Sequence, residues 1–306
     1  MSTKIVIDCD PGHDDAIAIL LALASPELEL IGVTTVAGNQ TLDKTTHNAL
    51  VTLEVAGRSD IPVAAGAEAP MRRELRTAAH VHGETGLDGP EKPEPSALPV
   101  EAHAADLLAE LIEPGVVLVP TAPLTNLALM LERHPDVSDR LERIVWMGGS
   151  IAEGNVTPAA EFNAFVDPEA AAMVFASGIP ITMVGLDATH RALFTRAHAE
   201  RLRDAGRAGR FVAELSDFFQ AFHERSYGFD GSPIHDAMAV AHVIDPTLMT
   251  TRRTNVAVET RSEFCDGRTV VDLRGVTGRE PNADVGVDVD AERFLELLVA
   301  RIASLP

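Results

Sequence analysis

Lysine is scarce in this 306-residue chain: Lys4, Lys44 and Lys92 are the only three. Cysteine is scarcer still. Cys9 and Cys265 cannot build a disulfide framework, and their separation fits no zinc-site spacing. Basic residues as a class are outnumbered, 25 against 46 acids, leaving a formal charge of −21. A surface this acidic repels phosphate backbones and anionic lipid head groups, so neither nucleic acid nor a membrane surface is an expected partner. Long apolar runs are missing as well. The stretch 170–186 is broken by Gly178, Pro180 and Gly185 and is too short to span a bilayer. The opening MSTKIVIDCD has an acid at position 8, unlike a secretory signal, and the expectation is a cytoplasmic enzyme.

What is present is ordinary globular material, 46% apolar and 23% charged, enough for a sizeable core. Strand-like and helix-like segments alternate from the start. Residues 4–8 form a short β-branched run, and His13–Ala24 is apolar nearly all round, which predicts a buried helix. A second strand follows at 28–36 and a second helix at 42–56. The alternation recurs at 116–119 with 124–131, at Arg143–Met147, and at 168–176 with 179–184. This pattern predicts an α/β fold with a mainly parallel central sheet flanked by helices, in a single domain spanning 1–306. Residues 86–99 are rich in Pro and Gly and read as a long surface loop within that domain. Beyond Arg191 the helices lengthen, and 254–289 carries short strands before a final helix.

The chemistry concentrates in Asp8-Cys9-Asp10-Pro11-Gly12-His13-Asp14-Asp15, with four carboxylates in eight residues and no Lys or Arg between Lys4 and Lys44. Crowded carboxylates raise one another's pKa unless a cation sits among them. Asp10 follows the first strand, and Asp14 and Asp15 lie in the first turn of the buried helix. Three carboxylates thus meet at the C-terminal edge of a parallel sheet, where α/β ligand sites form. Complementing the helix dipole is the plainer role for Asp14 and Asp15. Hard oxygen ligands without cysteine favour Ca²⁺ or Mg²⁺ over Zn²⁺. Asp8-Cys9-Asp10 also resembles the DxD start of haloacid-dehalogenase-type phosphatases, which predicts a catalytic lysine well downstream. None of the three lysines sits in a suitable context. The glycine-rich phosphate loops of nucleotide enzymes are absent too.

DCDPGHDDAIAI closely resembles the opening motif of the nucleoside hydrolases, the inosine–uridine-preferring group and its pyrimidine-specific relatives. The resemblance continues through VAGNQTLDKT, HGETGLDGP, LVPTAPLTNLA, WMGG, GNVTPAAEFN and IHDAMAV, and so covers nearly the whole chain. It implies Ca²⁺-dependent hydrolysis of the N-glycosidic bond of ribonucleosides to ribose and free base, by a homo-oligomer, often a tetramer. The implied Ca²⁺ ligands are Asp10, Asp15, Asp236 and the carbonyl of Thr121. Ala122 stands where the family usually has Gly. Asp236 taken alone would read as a helix N-cap.

The same resemblance makes Asp10 the base that deprotonates the attacking water and gives Asp14 the ribose 2′-hydroxyl. The residues by themselves do not separate these two roles. Asp8 is expected behind the ligands, turned away by strand alternation. Asn39, Asn155, Glu161 and Asn163 read as the sugar pocket, the last three in the long loop after the fifth strand. Amides and carboxylates suit hydroxyls that both donate and accept. His235 matches the histidine near the leaving base, and His82 is a second candidate for lining the base pocket. His223 and Tyr227, four apart on one helix face, fall where base-contacting side chains are expected. Tyr227 agrees with pyrimidine-preferring members, whereas His223 replaces an expected Gln. The reading leans to uridine and cytidine, with a purine or mixed preference as the alternative. A ribose- or nucleoside-binding protein is the non-enzymatic alternative, and Trp146 is expected in the core.

Overall fold

In the computed structural model, which describes residues 2–306, the β-branched opening run forms β1 (Thr3–Cys9) at the centre of an eight-stranded sheet. Its side chains alternate, so Ile5 and Ile7 enter the core on one face while Val6 enters the core on the other. Both faces are covered, which is why the strands are continuously apolar rather than half polar. The chain moves outward through β2 (Leu28–Thr35) to β3 (Val63–Ala65). It then returns to the other side of β1 for β4 (Val117–Pro120), β5 (Arg143–Met147) and β6 (Ile181–Val184). These strands are all parallel, in the order β3-β2-β1-β4-β5-β6. Strand Ala283–Val289 adds to β6 in parallel, and Met249–Thr254 closes the edge antiparallel to it.

The mainly parallel α/β expectation therefore holds, and the predicted elements start and stop within two residues of the observed ones. The antiparallel edge strand begins five residues before the tail that the sequence marked as strand-bearing. Its TTRRT stretch shows no apolar alternation, and its charged residues protect a sheet edge from further pairing. Residues 86–99 have no helix or strand, but Leu87 is fully buried, so that loop is pinned at its start. Trp146 lies in the core, its Nε1–H donating to the Ala122 carbonyl at 3.2 Å.

Because the chain reverses direction across the sheet at β1, the connections after β1 and β4 diverge and leave a crevice at their C-terminal ends. α1 (His13–Ala24) starts in that crevice and packs along helix His235–Ile244, whose first turn ends up beside it. The Thr121 N–H donates to the Asp8 carbonyl at 2.8 Å, fixing the end of β4 against β1.

One buried amide ties this corner together. Asn126 donates to Asp8 Oδ1 (2.8 Å) and to the Thr35 carbonyl (3.0 Å), and accepts from the Ala67 N–H (2.9 Å). Those partners belong to, or follow directly on, β1, β2 and β3. Asn126→Ala strands the buried Ala67 N–H and leaves Asp8 Oδ1 and the Thr35 carbonyl with one donor each, Thr34 Oγ1 and the Gly66 N–H, and should cost about 1–3 kcal/mol of stability. Urea denaturation reads this directly; an unchanged midpoint would mean the bonds contribute nothing net.

Candidate active site

The carboxylates converge as chain geometry dictates. Asp10 leaves β1, Pro11-Gly12 turns the chain, and Asp14 and Asp15 occupy the first turn of α1. Asp236 occupies the first turn of the neighbouring helix. Asp14, Asp15 and Asp236 are all buried and bring one carboxylate oxygen each within 4.8 Å of the others. Asp15 is the most constrained. Its Oδ1 accepts from Thr121 Oγ1 at 2.8 Å, and its Oδ2 accepts from the Gly12 N–H at 3.0 Å and Asn39 Nδ2 at 3.1 Å. The Gly12 bond is a helix-capping contact, so the plain structural role and the site role coexist in one side chain.

Asp10 lies just outside that trio. Its Oδ2 accepts from the Asn39 N–H at 2.6 Å, while its Oδ1 is buried with no partner. Gly38 permits this, since a Cβ there would collide with Asp10 Oδ2. Asp8 turns elsewhere, to Thr34 Oγ1 (2.6 Å) and Asn126. Among the described residues no lysine or arginine bonds any of the five.

Burial pushes the Asp14 carboxyl up to about 8 and Asp8 to about 7, and it raises Asp10, Asp15 and Asp236 too. Neighbouring charge adds to this: Asp15 raises Asp10 and Asp14, and Asp14 raises Asp236. A divalent cation reverses both effects. The donors present suit one. They are hard oxygens, Asp10 Oδ1 is orphaned, and the Cys9 thiol points to the Thr34 carbonyl instead.

Above the carboxylates opens a cleft. Asp14, Asp236, Thr121 and Asn39 form its floor, Asn155, Glu161 and Asn163 one wall, and His82, His223, Tyr227 and His235 the other. Asp10 and Asp15 are the only predicted site residues that do not line it. Glu161 ends the loop, as expected, and caps the short helix Phe162–Val166, whereas Asn163, expected in the loop, lies within that helix. Glu161 accepts from the N–H groups of Gly149 (2.8 Å), Asn163 (2.8 Å) and Ala164 (3.1 Å), and burial raises its carboxyl to about 7. Asn155 Oδ1 accepts from the Phe162 N–H at 2.9 Å. Asn163 Nδ2 bridges the carbonyls of Thr121 (3.0 Å) and Met147 (3.1 Å), joining the ends of β4 and β5.

The opposite wall is aromatic and neutral. Burial lowers His223 to about 4 and holds His82 and His235 well below the usual imidazole range. His82 stacks on Phe219 with centroids 5.4 Å apart, over Gly12, where a Cβ would strike its ring. His223 donates through Nδ1 to the Phe219 carbonyl at 3.0 Å, so its Nε2 is an acceptor. Tyr227, half exposed, stacks on His223 at 5.8 Å. His235 places Nδ1 at 2.7 Å from Thr189 Oγ1.

His80, Phe219 and Phe222 line this wall without having been anticipated. Phe219 lies one turn before His223 on the same amphipathic helix, Gly206–Tyr227, and Phe222 three residues after Phe219, so helical spacing carried a usable signal for them. Met147, Val156 and Phe162 also line the cleft, and nothing in their sequence context marks them. No lysine lines it, which removes the phosphatase reading.

The chain matches a family model described as inosine-uridine preferring nucleoside hydrolase over residues 5–296. It is 52% identical over 308 residues to the pyrimidine-specific ribonucleoside hydrolase RihA of Enterobacter sp. (strain 638), covering 99% of this chain and 98% of that protein. The RihA of Shewanella sp. (strain ANA-3) is 53% identical, covering 99% and 97%. Among solved structures, a plant nucleoside hydrolase superposes with a TM-score of 0.93 at 36% identity, covering 99% and 100%. A purine-preferring ribonucleoside hydrolase from Gardnerella vaginalis gives 0.93 at 34%, covering 98% of each chain.

The charge imbalance of the cleft floor generates a prediction of its own. Chelation of divalent cations should lower the melting temperature, and a cation held at about 100 times its Kd should restore about 2.7 kcal/mol. The effect should vanish in Asp236→Asn. A melting temperature indifferent to chelator and cation would mean that the carboxylates are neutralised by protons alone.

Proposed function

The chain belongs to the inosine-uridine preferring nucleoside hydrolase family, and we propose that it is a calcium-dependent member preferring uridine and cytidine. It is an N-ribosyl hydrolase, an enzyme that cleaves ribonucleosides to ribose and free base. The family is metal-dependent, and the trio of Asp14, Asp15 and Asp236 is able to hold a metal. The observation that carries the proposal is a single cleft joining an acidic floor, a polar wall and a neutral aromatic wall. The name borne by the relatives at about half identity supports the pyrimidine preference. One catalytic unit spanning 1–306, assembled as a homotetramer in the cytoplasm, completes the proposal.

Asp10, Asp15, Asp236 and the Thr121 carbonyl are the proposed Ca²⁺ ligands. When bound, Ca²⁺ supplies Lewis-acid activation of the attacking water. The remaining work falls to the chain. Asp10 takes the proton as the water oxygen bonds to C1′, with Oδ2 held by the Asn39 N–H and Oδ1 otherwise unpaired. The C1′–N bond breaks with its electron pair going to the base. Positive charge developing on the ribose is stabilised by the surrounding carboxylates. Asp14 and Asn163 engage the 2′-hydroxyl, while Asn39, Asn155 and Glu161 engage the other hydroxyls.

His235 donates to the leaving base. Burial disfavours a charged ring, so it acts by donating a hydrogen bond to developing negative charge rather than by releasing a stored proton; the base departs as its anion and is protonated by solvent, which also takes the proton back from Asp10. His82, His223 and Tyr227 line the base subsite, where stacked rings suit a flat heterocycle.

Assays with a nucleoside panel, read for free ribose, test the substrate class. Uridine and cytidine should react, whereas 2′-deoxyuridine should be slower by about 10–150-fold, the equivalent of one hydrogen bond to a charged group. Uridine 5′-monophosphate should fail, because its dianion would face Glu161. Equal kcat/KM for all of these would refute a ribose site. Two carboxylate variants separate the proposed roles: Asp10→Ala should abolish turnover, while Asp14→Ala should chiefly narrow the gap between ribo- and deoxyribonucleoside. For the leaving group, His235→Ala should slow uridine by about 10²–10³-fold, the range for a lost donor to a developing anion. It should spare p-nitrophenyl riboside, whose leaving group needs no donor. Equal damage to both substrates would reduce His235 to packing.

A further inference from the structure

Thr189 takes no part in the chemistry described so far, yet its hydroxyl is the polar partner of His235. We propose that Thr189 is a positioning residue that donates to His235 Nδ1 and so holds the ring's single proton on Nε2, facing the leaving base. The proposal rests on the reading of His235 as the donor to that base.

The argument starts from hydrogen-bond accounting. Thr189 ends the short helix Leu186–Thr189 after β6 and is fully buried, with Oγ1 at 2.7 Å from Nδ1. A hydroxyl can donate or accept in such a pair. If the ring donated through Nδ1–H, the threonine hydrogen would need another acceptor. Among the described residues Oγ1 bonds to nothing else. The backbone option one turn back, the Gly185 carbonyl, is already taken by two donors, the N–H groups of Ala188 (3.1 Å) and Thr189 (3.2 Å), and makes no bond to Oγ1. A buried hydroxyl hydrogen without an acceptor is the costly arrangement. Reversing the bond leaves neither of these buried atoms unpaired: the hydroxyl donates to Nδ1, and Nε2 keeps the proton on the cleft side.

That nitrogen faces the substrate side. Nε2 has no protein partner among the described residues, and His235 lines the cleft. The ring is held edge-on by His190, centroids 5.5 Å apart at 60°, and His190 is itself packed edge-on against Phe229 at 5.8 Å. The bond made by one imidazole nitrogen decides what the other presents. With the proton on Nε2, the ring donates to the electron pair that the base carries away. With the proton on Nδ1, a lone pair would face that same developing charge. Threonine suits the task better than serine in one respect: its branched Cβ restricts the rotamer that aims the hydroxyl.

Two measurements on the Ca²⁺-loaded protein test this. In ¹⁵N-histidine spectra, with His235 assigned by difference from His235→Ala, the wild-type ring should appear as the Nε2–H tautomer. An Nδ1–H tautomer overturns the proposal without any Thr189 variant. Thr189→Val, which keeps the shape and removes the hydroxyl, should lower kcat for uridine by about 10–100-fold, the usual cost of losing a histidine-orienting partner. Its KM for uridine and its rate with p-nitrophenyl riboside should stay within about twofold, and Thr189→Ser should recover most of the loss. Unchanged uridine turnover in Thr189→Val, or an equal fall with both substrates, would overturn the proposal. If His235→Ala itself fails to discriminate between the two substrates, the reading of His235 falls, and the tautomer spectrum still judges Thr189.

Discussion

Five carboxylates, those of Asp8, Asp10, Asp14, Asp15 and Asp236, are buried around the end of β1, and among the described residues no basic side chain is bonded to any of them. Two helices begin at this point, α1 and His235–Ile244, and their N-terminal dipoles favour negative charge there. Each dipole contributes about 0.3–1 kcal/mol, and at most about 2 in a partly buried setting. Withdrawing one carboxylate from water costs several kcal/mol after relaxation. Dipoles alone therefore do not offset the burial, and the group either takes up protons or gathers a cation. Asp8 accepts from Thr34 and Asn126 at Oδ1, and its Oδ2 is buried without a partner among the described residues. Asp14, Asp15 and Asp236 converge closely enough for a cation to sit beside them, with Asp10 and its unpaired Oδ1 next to the group.

The fold follows from the need to build this point. Parallel strands with both faces covered require apolar residues throughout, and the reversal of strand order at β1 keeps the crevice open. α1 is buried over most of its length, so its acidic first turn cannot escape to solvent. The cleft above is polarised accordingly. Its floor carries the carboxylates, which suit the sugar and the positive charge proposed to grow on it, while the buried histidines and phenylalanines of its outer wall suit a flat uncharged base. Charge is thus concentrated where the reaction generates its opposite, and the stacking surface carries none.

Much of this was legible in the residues. Alternating apolar segments announced the parallel sheet, and the Asp8–Asp15 cluster announced the site because no lysine or arginine falls between Lys4 and Lys44. Thr121 and Asp236 became recognisable through family resemblance, since an Asp in a first helical turn is ordinarily a cap. Other features depend on contacts between distant segments that no local pattern records. Asn126 is a plain residue of an amphipathic helix until Asp8, Thr35 and Ala67 close around it. Thr189 matters only because His235, 46 positions later, arrives at hydrogen-bond distance. Asn163 looked like a loop residue because Phe162–Val166 is five residues long, too short for helical periodicity to register. Strand Met249–Thr254 escaped notice because an edge strand need not alternate.

The central claim is that buried carboxylates, a cation and a ribose hydroxyl array form one catalytic centre. Ribose release from uridine by protein shown metal-free by elemental analysis, with Ca²⁺ then titrated back, tests it most directly. Turnover should be absent at the start and should rise to a plateau at one Ca²⁺ per chain. Full turnover in the verified metal-free protein would contradict the account.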